Sequence, residues 1–170
     1  FVFIAEALNN LNHDTVGNWD ENEGFFYDRL VKPTGEHVPV KIRSIVGLLS
    51  LAAVLVIPED TLDKLPTFKR SLEWFRNYRM YKSKYRVIQS STQCCVLLSL
   101  VSQDRLKVLM KVLLDEKELL SDYGIRAVSK IHEQKTYTLT IDGVPYSIDY
   151  EPAESTVSLF GGNSNWRGPI

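Results

Sequence analysis

Two stretches concentrate the residue types that can do chemistry. Residues 18–28, Asn-Trp-Asp-Glu-Asn-Glu-Gly-Phe-Phe-Tyr-Asp, set Asp20, Glu21, Glu23 and Asp28 beside Trp19, Phe25, Phe26 and Tyr27. Sugar recognition uses this combination: rings stack on the apolar faces of pyranosides, and carboxylates accept hydrogen bonds from paired hydroxyls. A solvated acidic turn leading into an aromatic-packing strand is the competing reading, and residue types alone leave both open. The acids resemble a calcium loop only in composition, because the twelve-residue register with its closing Glu is missing.

The second stretch is residues 151–155, Glu-Pro-Ala-Glu-Ser, followed by Phe-Gly-Gly-Asn-Ser-Asn-Trp-Arg-Gly-Pro-Ile at 160–170. A glycine-rich crossover loop would account for it. Fixing so many backbone residues, three of them glycine, opposes folding by on the order of 10 kcal/mol. Trp166 and Arg167 must recover that cost through packing, which suits a binding-site wall better than a spacer.

Other chemistries find no support. His13, His37 and His132 have no companion at i+3 or i+4, and Cys94-Cys95 lacks the Cys-x-x-Cys spacing, so no metal is expected. There is no Gly-x-Ser-x-Gly elbow, and Gly161-Gly-Asn-Ser is not followed by the Gly-Lys-Ser/Thr of a phosphate loop. No cofactor is expected either.

The elements that must position these residues follow from periodicity. Val2, Ile4, Ala5, Leu8 and Leu11 fall on one helical stripe. Two β-prone runs flank Lys32-Pro-Thr-Gly35, predicting a hairpin. Ser44 is placed to cap a buried helix over 45–56 that Pro58 ends. A short helical turn is expected over 59–65, then a helix from Phe68 with Leu72 and Phe75 on one face and Trp74 at its edge. Residues 80–93 read as an exposed loop, and 94–101 as either a buried strand or a buried helical segment. Leu106, Leu109, Met110, Leu113 and Leu114 give a further helix, with Asp104 at its start and Gly124 as a later stop. Asp142-Gly143 between alternating runs predicts a second hairpin.

The bulk properties narrow the partners. Twenty basic against twenty-one acidic residues leave a net charge of -1 over 170 residues, which gives no field to draw nucleic acid or an anionic membrane. The apolar run 45–57 is far short of the roughly 20 residues that cross a bilayer. Adjacent cysteines rarely pair, and there is no Asn-x-Ser/Thr acceptor, so a cytoplasmic location is expected. The chain opens on Phe1 inside an apolar helix and stops after Pro-Ile, which predicts an internal fragment of a longer chain.

Five segments together, "WDENEGFFYD", "PVKIRSIVGLLSLAAV", "LPTFKRSLEWF", "LLDEKELLSDYGIRAVSK" and "YEPAES…LFGGNSNWRGPI", resemble the C-terminal catalytic region of glycoside hydrolase family 63-like proteins. That group is related to processing α-glucosidases and to mannosylglycerate hydrolase-like proteins. The resemblance implies a mainly α chain with inserted β-hairpins, residues 1–170 being part of one (α/α)6 toroid. It implies inverting hydrolysis of an α-glycosidic bond in an oligosaccharide or glycoside, with the general acid and base outside these residues. Trp166 and Arg167 match its "WRGP" and would line the sugar pocket, Tyr27 and Asp28 match its "FYD", and Glu154 joins them. The remainder of the parent domain would be the chain's partner. A non-catalytic helical toroid that binds carbohydrate or protein is the alternative.

Overall fold

The computed structural model describes residues 1–9, 17–78, 88–90, 95–122 and 124–150. In chain order the elements are α1 (Val2–Asn9), β1 (Trp19–Asp20), β2 (Phe25–Phe26), β3 (Asp28–Val31), β4 (His37–Val40), a 3-10 helix (Ile45–Ala52), β5 (Val54–Pro58), α2 (Glu59–Asp63) and α3 (Pro66–Tyr78). They continue with β6 (Ile88–Ser90), β7 (Cys95–Ser99), α4 (Gln103–Leu113), β8 (Leu120–Ser121), β9 (Gly124–Ile125), α5 (Ile131–Gln134), β10 (Tyr137–Ile141) and β11 (Val144–Ile148). The chain divides into two compact units, one of Phe1–Gly17 with Ser50–Leu106 and one of Asn18–Leu49 with Lys107–Ile170.

The expectation of a mainly α chain and a partial (α/α)6 toroid is overturned. Among the described residues the strands form five antiparallel sheets, ordered β1-β2, β3-β4, β5-β7-β6, β8-β9 and β10-β11. A toroid needs long helices in antiparallel pairs. Among the described residues the longest, α3, has 13 residues, while α2 and α5 have 5 and 4.

The apolar run 45–57 shows why the helical reading fails. Only Ile45–Ala52 coils, and it does so as a 3-10 helix. The β-branched Val54, Val56 and Ile57 then extend, pairing in register from Val54 opposite Ser99 to Pro58 opposite Cys95. A uniformly apolar run carries no period of its own, so cross-strand pairing decides its state. The same pairing resolves 94–101 in favour of a strand from Cys95 onward. It also recruits Ile88–Ser90, read from sequence as loop, as the other edge of that sheet.

In the first unit Ala5, Leu62, Val96, Leu100 and Val101 are buried. Asn9 bridges there, donating to the carbonyls of Ala5 and Leu100 at 2.8 Å each and accepting from the Arg105 guanidinium. In the same unit α3 buries none of its residues, and Val54, Leu55 and Val56 of β5 are more than half exposed.

The second unit packs Phe25, Phe26, Tyr27, Leu48, Leu109 and Leu119 into its core. Both predicted hairpins lie in it. Asp28–Val31 pairs with His37–Val40 around the Lys32–Gly35 turn. Tyr137–Ile141 pairs with Val144–Ile148 across Asp142 and Gly143, whose φ angles of 50° and 81° are those of the two-residue turn that matches strand twist. The expected stop at Gly124 is instead the first residue of β9.

Candidate functional site

The acidic-aromatic segment is a tight ribbon. β1 and β2 pair Trp19 with Phe26 and Asp20 with Phe25, so the four residues between them form the turn. Asp20 closes that turn. Its Oδ1 accepts the N–H groups of Asn22 at 2.9 Å and Glu23 at 3.0 Å, and its backbone carbonyl accepts Gly24 N–H at 2.8 Å. The rings beneath are interlocked, Trp19 edge-on to Phe26 at 4.8 Å and Phe25 tilted against Tyr27 at 5.3 Å.

Two cations from the segment after β4 converge on this ribbon. Lys41 Nζ lies 2.7 Å from Asp20 Oδ2 and 2.7 Å from Glu23 Oε1. Arg43 lies two residues on, past a tight turn in which Ile42 N–H donates to the Val40 carbonyl at 2.9 Å. Its guanidinium sits 4.8 Å over the Phe25 ring, 3.4 Å from Glu23 Oε2 and 3.8 Å from Glu118 Oε1. Glu118 is held in turn by the buried Ser129 hydroxyl at 2.6 Å. The Arg43 backbone is fixed as well: its N–H donates to His132 Nε2 at 3.0 Å and its carbonyl accepts Ser129 N–H at 2.8 Å.

These contacts set the protonation states. The Lys41 hydrogen bond, aided by the turn N–H groups, overcomes burial and holds the Asp20 carboxyl below its ordinary value. For Glu23 burial pushes upward, but hydrogen bonds from Lys41 and Tyr27 and the nearby charges of Lys41 and Arg43 together outweigh it, leaving the carboxyl lowered. Lys41 is raised by Asp20 first and Glu23 second. Burial, then the hydrogen bond to Glu23, pushes the Tyr27 phenol up, so it stays a donor.

The sequence-predicted residues therefore divide. Tyr27 is 4% exposed, and its hydroxyl is committed to Glu23 Oε2 at 2.5 Å. Asp28, the next residue, is exposed at the start of β3 opposite Val40. Tyr27 thus supports the site from below while Asp28 faces solvent. Glu154, Trp166 and Arg167 lie outside the described residues. Among the described residues no group of three or more His, Cys, Asp and Glu side chains is arranged to hold a metal ion, and no helix is long and apolar enough to cross a membrane.

The chain is 40% identical over 156 residues to the uncharacterized protein YMR196W of Saccharomyces cerevisiae. That match covers 89% of this chain and 14% of the yeast protein. No family model matches the chain, and no solved structure matches it. The resemblance to glycoside hydrolase family 63-like proteins is therefore corrected. The similarity found is to a protein whose description carries no activity, and the hairpin-rich architecture is not a stretch of helical toroid.

Sequence reasoning found the acids and rings of the ribbon but missed Lys41, Arg43, Glu118, Ser129 and His132. The alternation of Lys41 and Arg43 just past a predicted strand, with a charge of opposite sign crowding residues 20–28, was the available signal for the first two. Nothing local marks the other three, because sequence separations of 75 to 89 residues divide Arg43 from Glu118 and His132.

Proposed function

We propose that this chain supplies sugar-binding groups to a glycosidase that cleaves an α-glycosidic bond of an oligosaccharide or glycoside with inversion. The observation that carries the reading is the convergence of Asp20 and Glu23 on Lys41 at 2.7 Å, on a bed of packed aromatic side chains. Such an array offers fixed acceptors and a fixed donor at hydroxyl spacing, and the packed rings remove the ordering cost that weakens most polar binding.

The chemistry of the cluster assigns it to binding and not to proton transfer. Inversion needs one carboxyl that stays protonated and a second one roughly 6.5–9.5 Å away to activate water. Asp20 and Glu23 are both held ionised. They also share one ammonium at 2.7 Å each, so their near oxygens are separated by at most twice that distance. The acid and base of the proposed reaction accordingly belong elsewhere in the protein. A non-catalytic carbohydrate-binding role is the second reading, and the same absence of a protonated carboxyl in the cluster favours it.

Kinetics on the full-length protein separate the two. With p-nitrophenyl α-glucoside and α-mannoside as substrates, the enzyme reading predicts a β-configured first product by NMR. It also predicts a Lys41→Ala variant with raised KM and near-normal kcat. Binding of methyl α-glycosides without turnover across such a panel would leave the non-catalytic role.

A further inference from the structure

The open valences of the cluster define what kind of sugar it can take. Among the described residues Lys41 Nζ uses two of its three donors on Asp20 and Glu23, each at 2.7 Å, and its ammonium lies 5.9 Å from the Tyr27 ring centroid, which leaves one donor without a hydrogen-bond acceptor. Asp20 Oδ1 is filled by the N–H groups of Asn22 and Glu23, and Glu23 Oε2 by Tyr27 and Arg43. Among the described residues Asp20 Oδ2 and Glu23 Oε1 contact Lys41 alone, which leaves each an accepting lone pair. The same ammonium that bridges the two open acceptors thus carries the uncommitted donor. The Glu23 and Lys41 side chains are 36% and 37% exposed, and that of Asp20 is 18% exposed.

The charge balance adds a second constraint. Asp20, Glu23 and Glu118 bring three carboxylates against the two cations Lys41 and Arg43. Arg43 is 8% exposed, lies over the Phe25 ring, and directs its charge to Glu23 and Glu118. Its Nε is buried without a partner among the described residues. Its side chain is 10% exposed against 36% for Glu23 and 19% for Glu118, so the carboxylates are the more open to an incoming anion.

We infer that this face takes an uncharged vicinal diol and excludes acidic sugars. One hydroxyl donates to Glu23 Oε1 while its oxygen accepts from Lys41, and the neighbouring hydroxyl donates to Asp20 Oδ2. The inference rests on the sugar-binding reading above and adds the charge class of the ligand to it. A carboxylate-bearing sugar would place a fourth negative charge against a cluster whose cations are already engaged, at a partly exposed site where the penalty is screened by salt.

The test is titration calorimetry on the full-length protein at low ionic strength. The probes are methyl α-glucopyranoside, methyl α-mannopyranoside and the corresponding methyl α-uronosides. The expected result is uronoside binding weaker by about tenfold or more, with the gap shrinking to below about threefold in Glu23→Gln, which keeps the side chain's shape and removes its charge. The Asp20→Asn variant gives the same readout through the other acceptor, in case one substitution disturbs the turn. A uronoside that binds as tightly as its neutral counterpart overturns the charge class while sugar binding stands. If no probe binds, the sugar-binding reading itself falls, and the inference with it.

Discussion

The Tyr27 hydroxyl donates to Glu23 Oε2 at 2.5 Å, from a ring that is 4% exposed, to a carboxylate that also contacts Lys41 and Arg43. This bond ties the aromatic core of the second unit to its charged surface. Removing the hydroxyl with Tyr27→Phe leaves the ring packing intact but takes one donor from an ionised acceptor. The expected cost is about 1.5–3 kcal/mol in chemical denaturation, the range for hydrogen bonds to charged groups. An unchanged denaturation midpoint would mean that the bond does not hold the cluster in place.

The direction of the pKa shifts fixes the pH dependence. Asp20 and Glu23 are lowered in the folded chain, so the unfolded chain takes up protons first as pH falls. Their contribution is complete above the ordinary carboxyl range and is lost as pH drops through their depressed folded values. Lys41 is raised, so its contribution is complete below the ordinary ammonium value and is lost as pH climbs through the raised one. Stability from the cluster therefore forms a plateau between about pH 5 and about pH 10, falling at both ends. Exposure of Glu23 and Lys41 makes the effect modest and salt-sensitive. Denaturation midpoints against pH should show a shallower acid limb in an Asp20→Asn, Glu23→Gln double variant. A limb of unchanged steepness would remove these groups from the explanation.

Gly47 is fixed by space. A Cβ there would lie 2.2 Å from a Phe25 ring carbon and 2.5 Å from the Phe26 carbonyl oxygen. Gly47→Ala must displace the ring bed beneath the cluster, costing about 1–3 kcal/mol by thermal unfolding. It should also broaden the aromatic side-chain resonances of Phe25 and Tyr27. A variant as stable as the parent with unchanged aromatic shifts would contradict this packing.

Gly143 is fixed by conformation, not space. Its φ is 81° and nothing lies within 4 Å of an added Cβ. Gly143→Ala should therefore cost about 1–2 kcal/mol through backbone strain alone, and Gly143→Asn less, because Asn tolerates the left-handed region. Equal losses for Ala and Asn in the same denaturation assay would point to a steric cause instead.

What could be read from the sequence follows a physical division. The Asp142-Gly143 and Lys32–Gly35 hairpins were readable because turn chemistry is local, with alternating runs flanking the first and β-prone runs the second. The α4 helix was readable for the same reason, its apolar residues keeping a helical period. The run from Ile45 to Ile57 was not, because every position is apolar or small and the partner strand begins at Cys95. The site divides the same way. Asp20, Glu23 and Tyr27 stand out together in the chain, whereas the arginine that contacts Glu23 reaches Glu118 and His132 only through the fold. The helical expectation, carried by resemblance, fails at the level of pairing, where non-local contacts decide.

The most direct measurement is calorimetric titration of methyl α-glucopyranoside and methyl α-mannopyranoside into the full-length protein and its Lys41→Ala variant. Lys32→Ala serves as the control, since it removes a surface ion pair at 2.9 Å to Glu36 in the β3–β4 turn. The expected result is saturable binding of at least one glycoside, weakened about tenfold by Lys41→Ala and unchanged by Lys32→Ala, as befits a charge-assisted donor at a partly exposed site. Equal affinity in Lys41→Ala and the parent protein would contradict a sugar-binding role for the Asp20–Lys41–Glu23 face.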